Sequence, residues 1–232
     1  PAGHAVRAVE LAARGQTQTA QQLLSDAVRA FPSNQALRFE YIRPWLDELA
    51  RDAAPEHIAA AAEELHGSAA LVLQAVRLAA HRRWNEVAEL DSRLAEVSWT
   101  APWKPDAVLA RADWRTRVGG EDRRRRAEEA LRIVDEAIVV QPTLAMYGMR
   151  IRTALAAGRH DALLQAIRVY GSGTFNESLR AGETGRHTAA ETLRTLIGLL
   201  DSELASGPVN PERVSEVRAG LEDRLRRLAG PS

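Results

Sequence analysis

Residues 1–34 lay down a helical hairpin by spacing alone. Ala8, Gly15, Ala20, Ala27 and Pro32 fall where two antiparallel helices need small residues, a turn and a stop. Leu11, Leu24 and Val28 fall where the pair needs bulk. The pattern predicts helices over about 3–14 and 17–30. A hairpin of this kind cannot bury its apolar face by itself, so it requires further hairpins stacked against it.

The rest of the chain follows the same logic more loosely, with helical periodicity throughout and no stretch that alternates like a strand. Ser33 or Asn34 is placed to cap a third helix, predicted from Gln35 to about Arg51 and kinked or split near Arg43 by Pro44. Pro55 suits the first turn of a helix running to about His66 and closed by Gly67. Leu71, Ala75 and Leu78 mark the next helix, and Trp84, Val87, Leu90 and Leu94 its partner, with His81-Arg82-Arg83 as the turn. After the irregular link 98–105 come helices over about 106–118 and 122–140, separated by Gly119-Gly120. A hairpin over 143–171 turns at Gly158. Residues 172–187 read as a loop, with room for one short helix, and two amphipathic helices (188–205 and 211–229) complete the chain as a C-terminal hairpin or cap. The division expected is therefore 1–171, 172–187 and 188–232.

Composition removes several function classes. Of 232 residues, 31 are basic and 31 acidic, which leaves no electrostatic footprint for nucleic acid or an anionic membrane. There are no cysteines, so disulfides and thiolate metal sites are absent. No apolar run approaches the roughly 20 residues that span a bilayer. Lys104 is the single lysine, a bias toward arginine that matches GC-rich bacterial coding. The chain opens on Pro1 without an initiator Met, which reads as a trimmed or mature form. A cytoplasmic and a periplasmic location are equally compatible with it.

The residues Ala8, Leu11, Gly15, Ala20, Leu24, Ala27 and Pro32 resemble the tetratricopeptide repeat. Segments 68–99 (Ala75, Leu78, Trp84, Leu94), 105–142 (Ala112, Gly119, Ala130, Ala137, Pro142) and 144–171 (Ile151, Ala154, Gly158, Tyr170) resemble it more loosely, and 35–67 departs most because of Pro44. The resemblance covers about residues 1–171. It implies an all-α, right-handed superhelix of about five hairpins with a C-terminal helical cap, and a concave surface lined by the first helix of each repeat. Mapped by spacing, that surface takes in Ala5, Val9, Phe39, Arg43, Val72 and Val76, then Asp113, Arg117, Gly148 and Arg152. Ala5 and Val9 stand where the family's carboxylate-clamping version has basic and Asn residues, so that activity is not expected. The apolar early groove and the later arginines suit a mixed apolar and acidic ligand.

Signals for chemistry are weak. His4, His57, His66, His81, His160 and His187 are scattered, and none forms the paired helical spacing of a zinc site. The segment 182–188 lacks the lysine and glycine spacing of a phosphate loop. Gly171-Ser172-Gly173 lacks the strand–turn–helix setting of a nucleophile elbow. Adjacent carboxylates such as Glu63-Glu64 and Glu128-Glu129 point about 100° apart on a helix and make poor acid–base dyads. No enzymatic activity, cofactor or metal is expected.

Two features stay open between a structural and a docking role. Arg123 to Arg126 form the densest charge block, diluted by Glu121, Asp122, Glu128 and Glu129. Trp99 and Trp103 flank Pro102, where they either plug a seam or present an aromatic anchor. The expected function is a scaffold or adaptor that binds a protein or peptide, for example in a bacterial envelope or secretion assembly. A regulatory or substrate-recruiting module of a larger enzyme or transporter is the second reading. Self-association through the apolar opening helix is the third.

Overall fold

The computed structural model of the chain describes residues 2–13, 15–46, 54–206 and 210–229. Among these residues every regular element is helical: α1 (Ala2–Ala13), α2 (Thr17–Ala30), α3 (Gln35–Ile42), α4 (Glu56–Glu63), α5 (Gly67–Ala80), α6 (Trp84–Glu89), α7 (Asp91–Ala95), α8 (Lys104–Arg117), α9 (Arg123–Val140), α10 (Leu144–Ala157), α11 (His160–Ser178), α12 (Gly182–Ser206) and α13 (Pro211–Ala229). Successive helices pack on one another except at the step from α4 to α5, and α1 also meets α3, α5 meets α8, α8 meets α10 and α11 meets α13.

Local sequence explains the boundaries. Within three of the pairs the turn closes identically, with a residue in the left-handed region followed by a residue whose N–H reaches back five positions. Gly15 (φ 77°) and Gly158 (φ 67°) supply that conformation, and so does Arg82 (φ 59°), a non-glycine residue. The closing bonds are Gln16 N–H to Leu11 O, Arg83 N–H to Leu78 O and Arg159 N–H to Ala154 O, each 2.9 Å. Asn34 caps α3 by accepting from Leu37 N at 3.1 Å, and Thr143 caps α10 by accepting from Met146 N at 3.2 Å. Asn210 does the same for α13, accepting from Glu212 N at 3.0 Å.

Pro44 splits the third helix near Arg43, as expected: α3 ends at Ile42 and Arg43–Trp45 form a 3-10 turn, because proline withholds an N–H and crowds the preceding turn. The remainder of that expected helix, to Arg51, lies outside the described residues. Three expectations are corrected. Gly67 does not close α4, which ends at Glu63; it takes φ 60° at the head of α5. The stripe Trp84–Leu94 is two short helices that meet at Leu90. The loop expected over 172–187 is mostly helix. α11 runs through Gly171-Ser172-Gly173 to Ser178, and α12 begins at Gly182.

Packing explains the last correction. A Cβ on Gly171 would lie 2.4 Å from Leu221, and one on Gly173 2.7 Å from Leu144. The glycines that weaken helix propensity are the ones that let α13 and α10 approach α11. At its far side α8 joins two cores. Ala107 and Ala110 pack with the apolar residues of α1–α7, while Val108 and Ala112 pack with those of α9 and α10. A further core unites Leu163, Ile167, Leu193, Leu200 and Leu221 of α11–α13.

Candidate functional site

Three helices present the same stripe to one cavity. Asp106, Leu109, Ala110 and Asp113 of α8, Ala145, Gly148, Met149 and Arg152 of α10, and Thr192, Thr195, Leu196 and Leu199 of α12 all line it. The shared spacing i, i+3, i+4, i+7 is the signature of a single helical face. Val76, Ala79 and Ala80 of α5 and Arg43, Pro44 and Leu46 after α3 complete the wall. The space is a groove of about 820 Å³. Its lining comes from alternate helices, so the intervening α9 and α11 stand behind it, with Tyr170 alone reaching through from α11. Gly148 makes that reach feasible, since a Cβ there would come within 3.3 Å of the Tyr170 ring.

Beyond Arg43 and Pro44 a second space of about 480 Å³ continues between α1–α2 and the link after α11. Ala5, Ala8, Ala12 and Ala20 form one side, and Glu177, Arg180 and Ala181 the other. Alanines on α1 and α2 keep this extension open.

The charges on the wall are paired. Arg43 Nη2 lies 3.1 Å from Asp106 Oδ2 and its Nε 3.3 Å from Glu40. Asp113 Oδ1 lies 3.3 Å from Arg117 and 3.2 Å from Arg152. Burial pushes the Asp106 carboxyl above the ordinary carboxylate range; the Arg43 charge offsets part of that, and the neighbouring Glu40 adds to it.

Asp91 provides the contrast. It sits behind the groove, where it accepts from Trp114 Nε1 at 3.0 Å, Arg111 Nε at 3.2 Å and Arg115 Nη2 at 2.6 Å. Burial raises its carboxyl, but hydrogen bonds from Arg115 and Trp114 and the charges of Arg115 and Arg111 outweigh burial and hold it below the usual range. Asp91 is thus committed to joining α7 to α8.

The structure brings together Arg43, Asp113 and Arg152 of the expected site, along with Ala5, Val76 and Gly148. Phe39 is fully buried against the Trp103 ring, with centroids 5.5 Å apart. Val72 is likewise buried. Trp103 donates its indole N–H to Ser68 at 3.0 Å and plugs the seam between α3 and α5; it is no free anchor. Arg117 stands beside the groove over the Trp84 ring, at 5.9 Å. The side chain of Val9 lies outside the described residues.

Sequence reasoning missed Asp106, Leu109, Met149, Leu196 and Leu199. The α12 residues carry a readable signal, the repeated stripe, within the segment expected to form a C-terminal cap. Of the arginine block, Arg126 turns inward to donate to Val118 O at 3.0 Å and Gly119 O at 2.6 Å. Arg124 and Arg125 stay near Glu128 and Asp122, at 3.9 and 3.6 Å. Among the described residues no group of His, Asp or Glu is arranged to hold a metal ion, and no helix is long and apolar enough to cross a membrane.

In comparison with known proteins, no family model, no curated protein and no solved structure matches the chain.

Proposed function

We propose that this chain is a protein-interaction module, a scaffold or adaptor whose inner groove holds a peptide or an extended segment of a partner protein. In this reading the helices pair into six hairpins of a right-handed, tetratricopeptide-like superhelix, with α1, α3, α5, α8, α10 and α12 facing inward. The observation that carries it is the identical stripe that α8, α10 and α12 present to one groove. The stripes of α8 and α10 are rich in small and apolar residues, and their charged groups are paired within the wall. No nucleophile, metal cluster or cofactor cradle enters the argument, so the reading assigns no chemistry to the groove. Nucleic acid is not among the proposed partners.

Selection from a random peptide display library tests it. Ala145 and Thr195 are exposed on the groove wall, so Ala145→Trp with Thr195→Trp fills the space without entering the core. Peptides are expected to be enriched on the wild type and lost on the filled variant. Equal enrichment on both would remove the groove from the function.

A second reading, self-association through α1, is favoured by the exposure of Val6, at 61%. Light scattering of the wild type and Val6→Glu separates it. A dimer that the substitution dissolves supports self-association, and a monomer at all concentrations ends it.

A further inference from the structure

The groove charges balance in sum but not in place. At one end Glu40 and Asp106 share the single guanidinium of Arg43, at 3.3 and 3.1 Å. At the other, Arg117 and Arg152 share the single carboxylate of Asp113, at 3.3 and 3.2 Å. One end carries a surplus carboxylate and the other a surplus guanidinium. Resting on the peptide-binding reading above, we propose that the groove takes a peptide with a cationic and an anionic side chain about three residues apart. The cation is seated at Asp106 and Glu40, and the anion at Arg152 and Arg117.

Asp106 supports this independently. Its side chain is only 13% exposed, and Oδ2 accepts no hydrogen bond. Arg43 Nη2 is near enough for an ion pair, yet it donates instead to Pro102 O at 3.2 Å. A nearly buried acceptor without a donor is costly, and a ligand ammonium or guanidinium would satisfy it. Burial raises this carboxyl, and the Arg43 charge offsets only part of that. At the opposite end, Arg152 is about half exposed and among the described residues has only the shared Asp113 as its ionic partner. Its remaining N–H groups are available to a carboxylate, which a guanidinium engages in bidentate fashion.

The spacing follows from α8. Asp106 and Asp113 are seven residues apart on one face, which separates the two ends by about 10.5 Å. Three residues of an extended, polyproline-like chain advance about 9.3 Å and return to the same side. Leu109 and Met149, with Ala110, Ala145 and Gly148 giving depth, leave an apolar midsection for the two residues between. A mixed apolar and acidic ligand with no cation would meet the surplus carboxylate of Asp106.

The test uses the full chain and four fluorescein-labelled hexapeptides, Gly-X-Leu-Val-Z-Gly, capped at the C-terminus. Their X and Z pairs are Lys/Glu, Lys/Gln, Gln/Glu and Gln/Gln, read by fluorescence anisotropy. The Lys/Glu peptide is expected to bind tightest, with each charge worth about tenfold, the scale of one charge-assisted hydrogen bond. Asp106→Asn should erase the gain from Lys and leave that from Glu, and Arg152→Gln should do the reverse. Glu40→Gln, which leaves the Asp106 carboxyl in place, should weaken Lys-containing peptides to a smaller degree. Circular dichroism melts verify that each variant folds. If all four peptides bind the wild type equally, or if each variant weakens all four alike, the charge assignment is overturned while the groove remains a peptide site. If none binds at millimolar concentration, the charge assignment and the groove reading fall together.

Discussion

The two halves of this chain solve the same packing problem with different materials. From α1 to α7 no helix is longer than 14 residues, and two of them have fewer than eight. Their links are fastened by polar side chains. Buried Arg38 ties the end of α2, through Pro32 O, to Glu64 after α4. Gln35 brackets His66, and Lys104 donates to Ala95 O at 3.0 Å beneath the Trp99 ring. From α8 onward the helices run longer and approach through Gly and Ala, as at Gly171 against Leu221 and Gly173 against Leu144. A short helix offers too little apolar stripe to fix its own position, so polar staples supply the geometry. A long helix with small residues positions itself by contact.

That contrast predicts where single substitutions do most harm. Asp91→Ala should have the largest effect, because it leaves the nearly buried Arg115 to the distant Glu129, at 3.8 Å, and Arg111 and Trp114 without their shared acceptor. The expected cost is about 3 kcal/mol in a denaturant melt. A cost below about 1 kcal/mol would show that α6 and α7 are held by apolar contact after all.

The sign of the pH dependence sharpens the point. The folded Asp91 carboxyl lies below its unfolded value, so its contribution is present above the unfolded pKa and is lost as pH falls through the folded one. Asp106 lies above its unfolded value, so ionising it costs stability, and the fold gains as pH falls. Asp106→Asn is therefore expected to melt above the wild type at pH 7, with the gap closing as the medium is acidified and the wild type takes up its proton. Asp91→Asn should melt below the wild type at pH 7 and converge with it in acid. Two aspartates on the same few helices would then be told apart as a staple and a binding group.

In the second half the sensitive positions are the close approaches. Gly171→Val places a branched side chain where even a Cβ would be 2.4 Å from Leu221, itself fully buried. A loss of about 2 kcal/mol is expected, since the gain in helix propensity offsets only part of the overpacking. An unchanged melting temperature would mean that α13 is free to shift.

How much of this was legible follows from which interactions are local. The opening hairpin, the stop at Pro32, the caps at Asn34 and Asn210 and the break at Pro44 depend on neighbours within a few residues, and the sequence displays them. Arg43, Asp113 and Arg152 fall on one groove because the inward stripe repeats with the hairpins. Phe39 is buried rather than open to the groove because spacing cannot tell a residue facing a groove from one covered by a side chain 64 positions away, and Trp103, which covers it, takes the seam-plugging one of its two expected roles. Asp106 was overlooked for the same reason, since its significance lies in Arg43 and Glu40 across the groove. Gly171-Ser172-Gly173 read as a loop because propensity penalises the very residues that tertiary packing there demands.

The turns offer the finest comparison between the halves. Gly158, in the second, and Arg82, in the first, hold the same left-handed position in equivalent closures, at φ 67° and 59°. Glycine takes this conformation freely, whereas an L side chain crowds the following carbonyl at a cost of about 1 kcal/mol or somewhat more. Gly158→Ala should therefore destabilise the chain by about 1 kcal/mol, with open space around the position to exclude a packing clash. Arg82→Gly should do the opposite and stabilise it by a few tenths to about 1 kcal/mol, the relief of strain being offset in part by greater freedom in the unfolded chain. Arg82 has no ion pair among the described residues, so the substitution leaves no carboxylate unpaired. If Arg82→Gly instead destabilised the chain, the first half would owe its turn to the arginine side chain, and the reliance of that half on polar fastening would reach further than its buried staples.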